Sequence, residues 1–259
     1  MLLQRSNSYR AEAITLRRSN LGEADRIVTL FTREYGKRRA VAKSVRRTKS
    51  RLAGHIELFT HSDVYLAFGR NLDILKQATA IEIFPILSKD LSSFARVSWA
   101  AEIVDRLTPD GEPDPALFSL LLQSIRLLAI VRNSSSMHLR QFELHALKIL
   151  GYLPQLESCV NCGEELSEVQ NLFSPSLGGI VCHNCNLDEP IKISPSAVKV
   201  MRWLEIQKIG SAERLNTTTA LDTELEIIHR SCLSQILGGS LRSASLLDRF
   251  RRPITPPTS

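Results

Sequence analysis

The residues best suited to chemistry in this 259-residue chain are four cysteines, arranged as two Cys-x-x-Cys pairs. Cys159 and Cys162 form the first pair, Cys182 and Cys185 form the second, and 19 residues separate the pairs. This spacing lets four thiolates surround one zinc ion, and a closed shell of four sulfurs leaves no coordination position for water. The pattern predicts one structural Zn2+ held by these four cysteines, with unmetallated or redox-active thiols as the alternative.

A catalytic zinc is a weaker interpretation of the same region. His183 lies inside the second pair, and His55-Ile-Glu57 resembles the H-x-E half of a nucleobase deaminase signature. That signature also needs a proline just before its C-x-x-C, and neither cysteine pair has one. No phosphate-binding glycine loop or nucleophile elbow is present either, so we expect a protein that is not an enzyme. The fifth cysteine, Cys232, is expected in an apolar core.

Positive charge is concentrated near the N-terminus. The first 80 residues hold sixteen Lys and Arg against seven Asp and Glu, a net charge of +9 in a chain whose total is +6. Cations crowded in this way repel one another unless an anionic partner neutralises them, and binding phosphates releases condensed counterions. The predicted DNA-binding residues are Arg33, Lys37, Arg38, Arg39, Lys43, Arg46, Arg47, Lys49, Arg51 and Arg70.

Five aromatic residues accompany this basic run: Phe31, Tyr35, Phe59, Tyr65 and Phe68. Aromatic rings beside cations can stack on the bases of a single strand. In so small a domain, aromatic residues more often fill the core, and we favour that interpretation.

The elements that must position these residues change character along the chain. Short runs of β-branched and aromatic residues predict five strands within about the first 83 residues, punctuated by turns at Gly36 and Gly69. Five strands of this length fit a small barrel of the oligonucleotide-binding (OB) or the SH3-like type. The apolar stretches are interrupted by charged residues and the N-terminus lacks a signal peptide, so we expect a cytoplasmic protein without a membrane segment.

From Pro85 the apolar residues recur with a helical period, which predicts three helices, then a cysteine-rich segment, then two more helices. The expected class is α+β, with a five-stranded OB-type barrel followed by an all-helical domain that carries an inserted four-cysteine zinc ribbon. The predicted boundaries are 1–83 for the barrel, 84–154 and 191–250 for the two helical parts, 155–190 for the ribbon and 251–259 for a disordered tail.

Ordered motifs from all three regions resemble the RecO family of bacterial recombination mediators. The resemblance lies in Gly22-Glu-Ala-Asp-Arg-Ile-Val-Thr-Leu-Phe-Thr-Arg-Glu-Tyr-Gly36, the basic segment from Ala40 to Gly54, the Leu150-Gly-Tyr-Leu-Pro154 segment and the cysteine pairs. It covers roughly residues 9 to 250, and Ser44 stands where many members carry glycine. It implies an OB-fold, a helical domain and a zinc ribbon in that order.

The resemblance also implies a function in DNA repair. Members of the family bind single- and double-stranded DNA, anneal complementary strands and, together with RecR, help load RecA onto DNA coated by single-stranded DNA-binding protein. It further implies a helical surface that meets the acidic, apolar C-terminal tail of that coating protein. The candidate rim residues are Arg126, Arg132, Arg140 and Lys148, for which a solvated helix face is the alternative.

The alternative function is that of a zinc-ribbon regulator that binds RNA or DNA, or of a nucleic-acid enzyme. We expect no small-molecule substrate and a location on the nucleoid.

Overall fold

A computed structural model describes residues 7–130, 136–187 and 190–250. Arg132 and the predicted tail 251–259 lie outside the described residues. Residues 8–82 fold into a closed five-stranded barrel, as the strand pattern predicts. Its strands are β1 (Ser8–Leu21), β2 (Asp25–Thr32), β3 (Gly36–Ala42), β4 (His61–Ala67) and β5 (Asp73–Glu82).

The long first strand closes the barrel by pairing on both of its sides. Its first half, from Ser8 to Ile14, runs antiparallel to β4. From Ala13 to Leu21 it pairs with β2, with a bulge between Thr15 and Arg17. The sheet order is β1-β2-β3-β5-β4, with a short parallel contact between β3 and β5. This closed barrel with a crossing connection is the OB type, which presents β2, β3 and the neighbouring loops to nucleic acid.

Helices follow the barrel, and the cysteine-rich segment interrupts them with a small sheet. The helices are α1 (Leu91–Leu107), α2 (Pro115–Ile130), α3 (Met137–Ile149), α4 (Pro195–Ile206), α5 (Thr219–Leu237) and α6 (Ala244–Arg249). Between α3 and α4, the strands β6 (Asn171–Ser174), β7 (Gly179–Val181) and β8 (Ile191–Ile193) form a sheet in the order β7-β6-β8. The Ser194 side chain caps α4 by accepting from the Ala197 N–H, with proline in the first helical turn as predicted.

The helical core extends onto the outer face of the barrel. Phe31 on β2 is fully buried and contacts Phe118 of α2, with 6.1 Å between ring centroids. Phe59, in the connection from β3 to β4, packs edge-on against Phe94 of α1. The barrel interior is a separate, smaller cluster that includes Val28 and Leu66. Among the described helices, none is long and apolar enough to cross a membrane.

Candidate metal centre and nucleic-acid interface

The four predicted cysteines meet at one point of the ribbon, where their sulfur atoms all lie within 4.8 Å of one another. The Sγ–Sγ distance is 3.7 Å between Cys162 and Cys182, 3.6 Å between Cys182 and Cys185, and 4.0 Å between Cys159 and Cys185. A tetrahedral zinc with Zn–S bonds of about 2.3 Å requires sulfurs about 3.8 Å apart. The four side chains can therefore hold one metal ion, and their geometry fits Zn2+.

Backbone groups of the two turns prepare this cysteine cluster for a cation. Gly163 follows the first pair with a φ of +80°, and its N–H donates to the carbonyl of Cys159. Burial opposes ionisation of the Cys159 thiol, but N–H groups of Cys182, Cys162 and Asn161 outweigh burial and lower its pKa to about 6. A thiolate at this position is ready to bind metal near neutral pH.

The residues considered for a catalytic zinc lie elsewhere. His55 belongs to the barrel, where its Nδ1 accepts a hydrogen bond from the Ala80 N–H. His183 is exposed and is not part of the metal-binding group. Cys232 is buried in the helical core, as predicted, and burial raises its pKa to about 12. The deaminase interpretation has no support in this geometry.

Three of the ten predicted DNA-binding cations are engaged in contacts within the protein. Arg33 donates to the Glu12 carboxylate at 2.6 Å and lies over the Phe118 ring. The Lys37 Nζ donates to two carbonyls at the end of α1, at 2.5 and 2.8 Å. Arg38 pairs with the buried carboxylate of Asp73. These side chains hold the barrel together or join it to the helices, and we do not include them in the candidate interface.

The other seven cations are exposed and form what we call the basic surface: Arg39, Lys43, Arg46, Arg47, Lys49, Arg51 and Arg70. Within the described ranges, none of the seven makes an ion pair. Arg39 lies on β3, Arg70 lies in the turn between β4 and β5, and the other five lie in the loop that follows β3. OB-type barrels bind nucleic acid on strands β2 and β3 and on neighbouring loops.

The loop that carries five of these cations is folded onto the barrel. The Ser44 N–H donates to the Asp25 carboxylate at 2.7 Å, and the Arg46 N–H donates to the Ala24 carbonyl at 2.9 Å. Val45 is buried in the barrel core. Ser44 has a φ of +54°, in the left-handed region that favours glycine. These contacts display the cations at fixed positions on the folded barrel.

Comparison with known proteins identifies the family. A model of the N-terminal domain of recombination protein O matches residues 6–84, and one of its C-terminal domain matches residues 88–245. The chain belongs to the RecO family. It is 42% identical to the DNA repair protein RecO of Roseiflexus sp. over 250 residues, which cover 96% of this chain and 88% of the relative. It is 35% identical to that of Dehalococcoides mccartyi strain 195 over 253 residues, covering 96% and 99%.

Membership in the RecO family places the protein in DNA repair and recombination, and the resemblance drawn from the sequence motifs is confirmed. The OB-type barrel followed by helices and a cysteine cluster is the fold that the resemblance implies, and it too is confirmed.

The partner-docking residues expected in this RecO-family chain need a correction. Arg140 is only 2% exposed and pairs with Glu143 inside the helical core, so it cannot line a surface rim. From the sequence, Arg140 resembles an exposed helical arginine. The pattern does not show that Glu143, one turn later on the same helix, pairs with it inside the core. Arg126 pairs with Glu82 of the barrel, and Lys148 pairs with Glu205 of α4. The described candidates therefore do not form a group of free cations.

The aromatic residues of the barrel divide into two groups. Phe31 and Phe59 are buried, as the core interpretation predicts. Tyr35, Tyr65 and Phe68 are 36%, 40% and 43% exposed. The core interpretation therefore applies to Phe31 and Phe59, whereas the other three rings lie on a turn or on the outer face of the barrel.

A cleft of about 620 Å3 lies between the barrel and α1, and no sequence pattern predicts it. Its walls include the apolar side chains of Leu16, Leu58, Phe94 and Ala101 and the cations Arg17, Arg18, Arg106 and Arg242. Of these cations, Arg17 lies 3.8 Å from Asp105 of the same cleft and Arg18 pairs with Glu57. The Glu102 carboxylate at its edge accepts from the backbone N–H groups of Arg242 and Ser243. The residues come from distant parts of the chain, so only the folded arrangement brings them together.

Proposed function

We propose that this protein is a DNA-binding recombination mediator without catalytic activity of its own. The observation that carries the proposal is the basic surface, seven exposed cations on an OB-type barrel that make no ion pair with any residue the structure describes. Phosphate contacts of this kind act on single and double strands alike, because both present the same backbone charge. Neutralising the phosphates of two strands at once also lowers their mutual repulsion, which favours annealing of complementary strands.

The experiment removes four cations of the loop together, as R46A/R47A/K49A/R51A. Binding to labelled single- and double-stranded oligonucleotides is measured by fluorescence anisotropy across a series of salt concentrations. Each lost phosphate contact reduces the slope of log affinity against log salt by about 0.7 for single strands and about 0.9 for duplex. Four lost contacts therefore reduce the slope by about 3, and affinity at low salt falls by more than about tenfold.

A variant with the same change in charge serves as the control. K89A/K192A/K199A/K208A removes four exposed lysines outside the barrel, and its DNA binding should stay close to that of the parent protein. An unchanged salt slope in the loop variant would move the DNA site elsewhere. Equal losses in both variants would mean that only net charge matters.

We further propose that the cleft receives the acidic, apolar tail of single-stranded DNA-binding protein. An apolar floor with a cationic rim suits such a peptide, because Arg106 and Arg242 make no ion pair within the described residues and the Glu102 carboxylate already accepts hydrogen bonds from the protein. The double variant R17E/R242E should weaken binding of a labelled tail peptide to the full chain by at least about fivefold. The comparison variant is R126A/K148A. A larger loss of tail-peptide binding in this variant would indicate that the tail binds at the predicted helical rim residues and not in the cleft.

Two parts of the proposal concern the other components. The cysteine cluster would hold one structural Zn2+ through Cys159, Cys162, Cys182 and Cys185, which supplies cross-linking and no chemistry. The protein would act with RecR to load RecA onto coated single strands in the cytoplasm, on the nucleoid. Pull-down of RecR in the presence and absence of single-stranded DNA tests the partnership, and absence of capture under both conditions would contradict it.

A further inference from the structure

Three aromatic rings meet at one end of the barrel, beside the basic surface. The ring of Tyr9 on β1 lies between those of Tyr35 and Phe68, with centroid distances of 4.4 Å and 4.5 Å. Tyr35 belongs to the turn from β2 to β3, and Phe68 begins the turn from β4 to β5. Tyr9 is buried, whereas Tyr35 and Phe68 are 36% and 43% exposed. We call these three residues the aromatic cluster.

The aromatic cluster is held in place by a buried carboxylate. The Tyr9 hydroxyl donates to Asp73 at 2.5 Å, and Arg38 donates to the same carboxylate oxygen at 2.7 and 2.9 Å. The Arg38 guanidinium lies 5.8 Å from the ring centroids of both Tyr9 and Phe68. The Gly69 N–H also donates to Asp73, which fixes the turn next to Phe68. The exposed rings therefore need little ordering before a ligand binds.

The position of the aromatic cluster makes it continuous with the basic surface. Arg70 lies two residues beyond Phe68 in the same turn. Strand β3 begins directly after Tyr35 and leads through Arg39 to Lys43 at the start of the basic loop. At about 3.3 Å per residue, Arg39 lies about 13 Å along the chain from Tyr35 and about 13 Å from Lys43. A strand of DNA that runs over Arg39 and Arg70 would reach the two exposed rings.

Most acidic groups at this end of the barrel already have partners. The Glu34 carboxylate accepts from the Glu12 N–H at 3.0 Å, and Asp110 lies 3.4 Å from the Lys37 ammonium. Asp73 is neutralised by Arg38. In the described ranges Glu34 and Glu112 are the acids near Gly36 that make no ion pair, since Glu34 only accepts a hydrogen bond from a backbone N–H. The local repulsion of a phosphate chain is therefore small beside the attraction of the basic surface.

We propose that Tyr35 and Phe68, supported by Tyr9, form a stacking platform for bases of single-stranded DNA. Every base has a flat aromatic face, so stacking on exposed rings adds affinity that is independent of sequence and of salt. Bases in a duplex are already stacked on each other and cannot use the rings. The inference rests on the proposed DNA binding, and it adds a preference for single strands that phosphate contacts do not provide.

The test compares leucine variants on two kinds of single strand. Y35L and F68L keep an apolar side chain over the end of the barrel but remove the aromatic face. Binding is measured at high salt to an oligothymidine, to an oligonucleotide of the same length that lacks bases, and to duplex. The control is Y65L, because Tyr65 is 40% exposed on β4 and makes no aromatic pair within the described part of the chain.

Each of Y35L and F68L should lower affinity for oligothymidine by at least about fivefold. Neither should change affinity for duplex or for the strand without bases, and Y65L should behave like the parent protein. Unchanged oligothymidine binding by folded Y35L and F68L, or equal losses for all three ligands, would overturn the platform. Equal affinity of the parent protein for oligothymidine and for the strand without bases would also overturn the platform. Failure of the proposed DNA binding is a different result, in which the parent protein binds none of the three.

Discussion

Identical residue types in one basic run have different roles, and the surroundings of each side chain decide which. Lys37 and Arg47 are ten residues apart, yet Lys37 is mostly buried against the end of α1 and Arg47 is exposed. The sequence predicted that this run meets a polyanion. It could not show that Arg33, Lys37 and Arg38 are engaged, because their partners come from other elements: Glu12 for Arg33, Asp105 and Thr108 for Lys37, and Asp73 for Arg38.

The Lys37 contacts give the first prediction at this scale. Lys37→Met keeps the aliphatic stem and removes two hydrogen bonds to buried carbonyl groups, so the free energy of unfolding should fall by about 1–3 kcal/mol. DNA affinity should stay nearly constant, since Lys37 does not belong to the basic surface. Arg47→Met should lower DNA affinity and leave the free energy of unfolding nearly unchanged. Urea denaturation and anisotropy on both variants measure the two effects, and a large loss of DNA affinity in Lys37→Met would contradict the assignment.

A buried polar network joins α1, α3 and α5 through Glu143. Its carboxylate accepts from the Trp99 indole at 2.6 Å and lies 2.8 Å from Arg140 and 2.7 Å from His229. Burial opposes ionisation of Glu143, but Arg140 and His229 outweigh burial and hold its pKa below the usual range. Since Arg140 already neutralises Glu143, a charged His229 would leave a net positive charge in the core. Burial therefore lowers the pKa of His229.

The lowered pKa of His229 predicts the response of stability to pH. Below the ordinary histidine pKa of about 6.5 the unfolded chain binds a proton that folded His229 does not, so stability falls by up to about 1.4 kcal/mol per pH unit. The fall continues until the pH reaches the folded pKa. Buried His138, whose pKa is also lowered by burial, adds a second such proton. Urea denaturation of metal-saturated protein between pH 7.5 and 5.5 measures the slope. His229→Gln should reduce it, and an unchanged slope would locate the proton elsewhere.

At the scale of elements, the cysteine ribbon has only a small core of its own, so we expect the proposed zinc ion to hold it folded. The buried residues of this small core are Cys159, Val181 and Cys182. Cys182→Ser should abolish binding of one zinc per chain and expose residues 155–187 to proteolysis. Cys232→Ser is the matched control, since it also removes one buried thiol but should leave the metal content intact. Elemental analysis of both variants decides the point, and a zinc-free parent protein would contradict the prediction.

How far elements can be predicted from sequence depends on whether the signal is local. Five strands and five helices follow from apolar periods, and all of them are present. The run of β-branched and aromatic residues from Ile56 to Phe68 predicts one strand, but β4 begins at His61, because Phe59 turns away with a φ of +66° to pack on α1. Helix α6 was missed, since six residues are too few to show a helical period. The metal ligands were predictable from spacing, whereas the aromatic cluster depends on three separate segments.

For the whole molecule, the border between barrel and helices along the sequence is not a border between cores. Ile14, Leu16, Phe31 and Phe59 of the barrel belong to the same buried cluster as the helices. Lys37 and Arg33 add polar contacts across the same junction. The barrel and the helices thus differ in the charge of their surfaces but share one buried core.

The shared core predicts that barrel and helices unfold together. Phe31→Ala removes a fully buried ring that faces α2, and should lower the free energy of unfolding by about 3–5 kcal/mol. Although the substitution is in the barrel, fluorescence of Trp99 and Trp203, which both lie in helices, should report the whole decrease. Hydrogen exchange of β2 amides should report the same decrease for the barrel. If the tryptophan transition stayed in place while β2 lost its protection, the two parts would be independent units, because a joint core cannot lose this contact on one side alone.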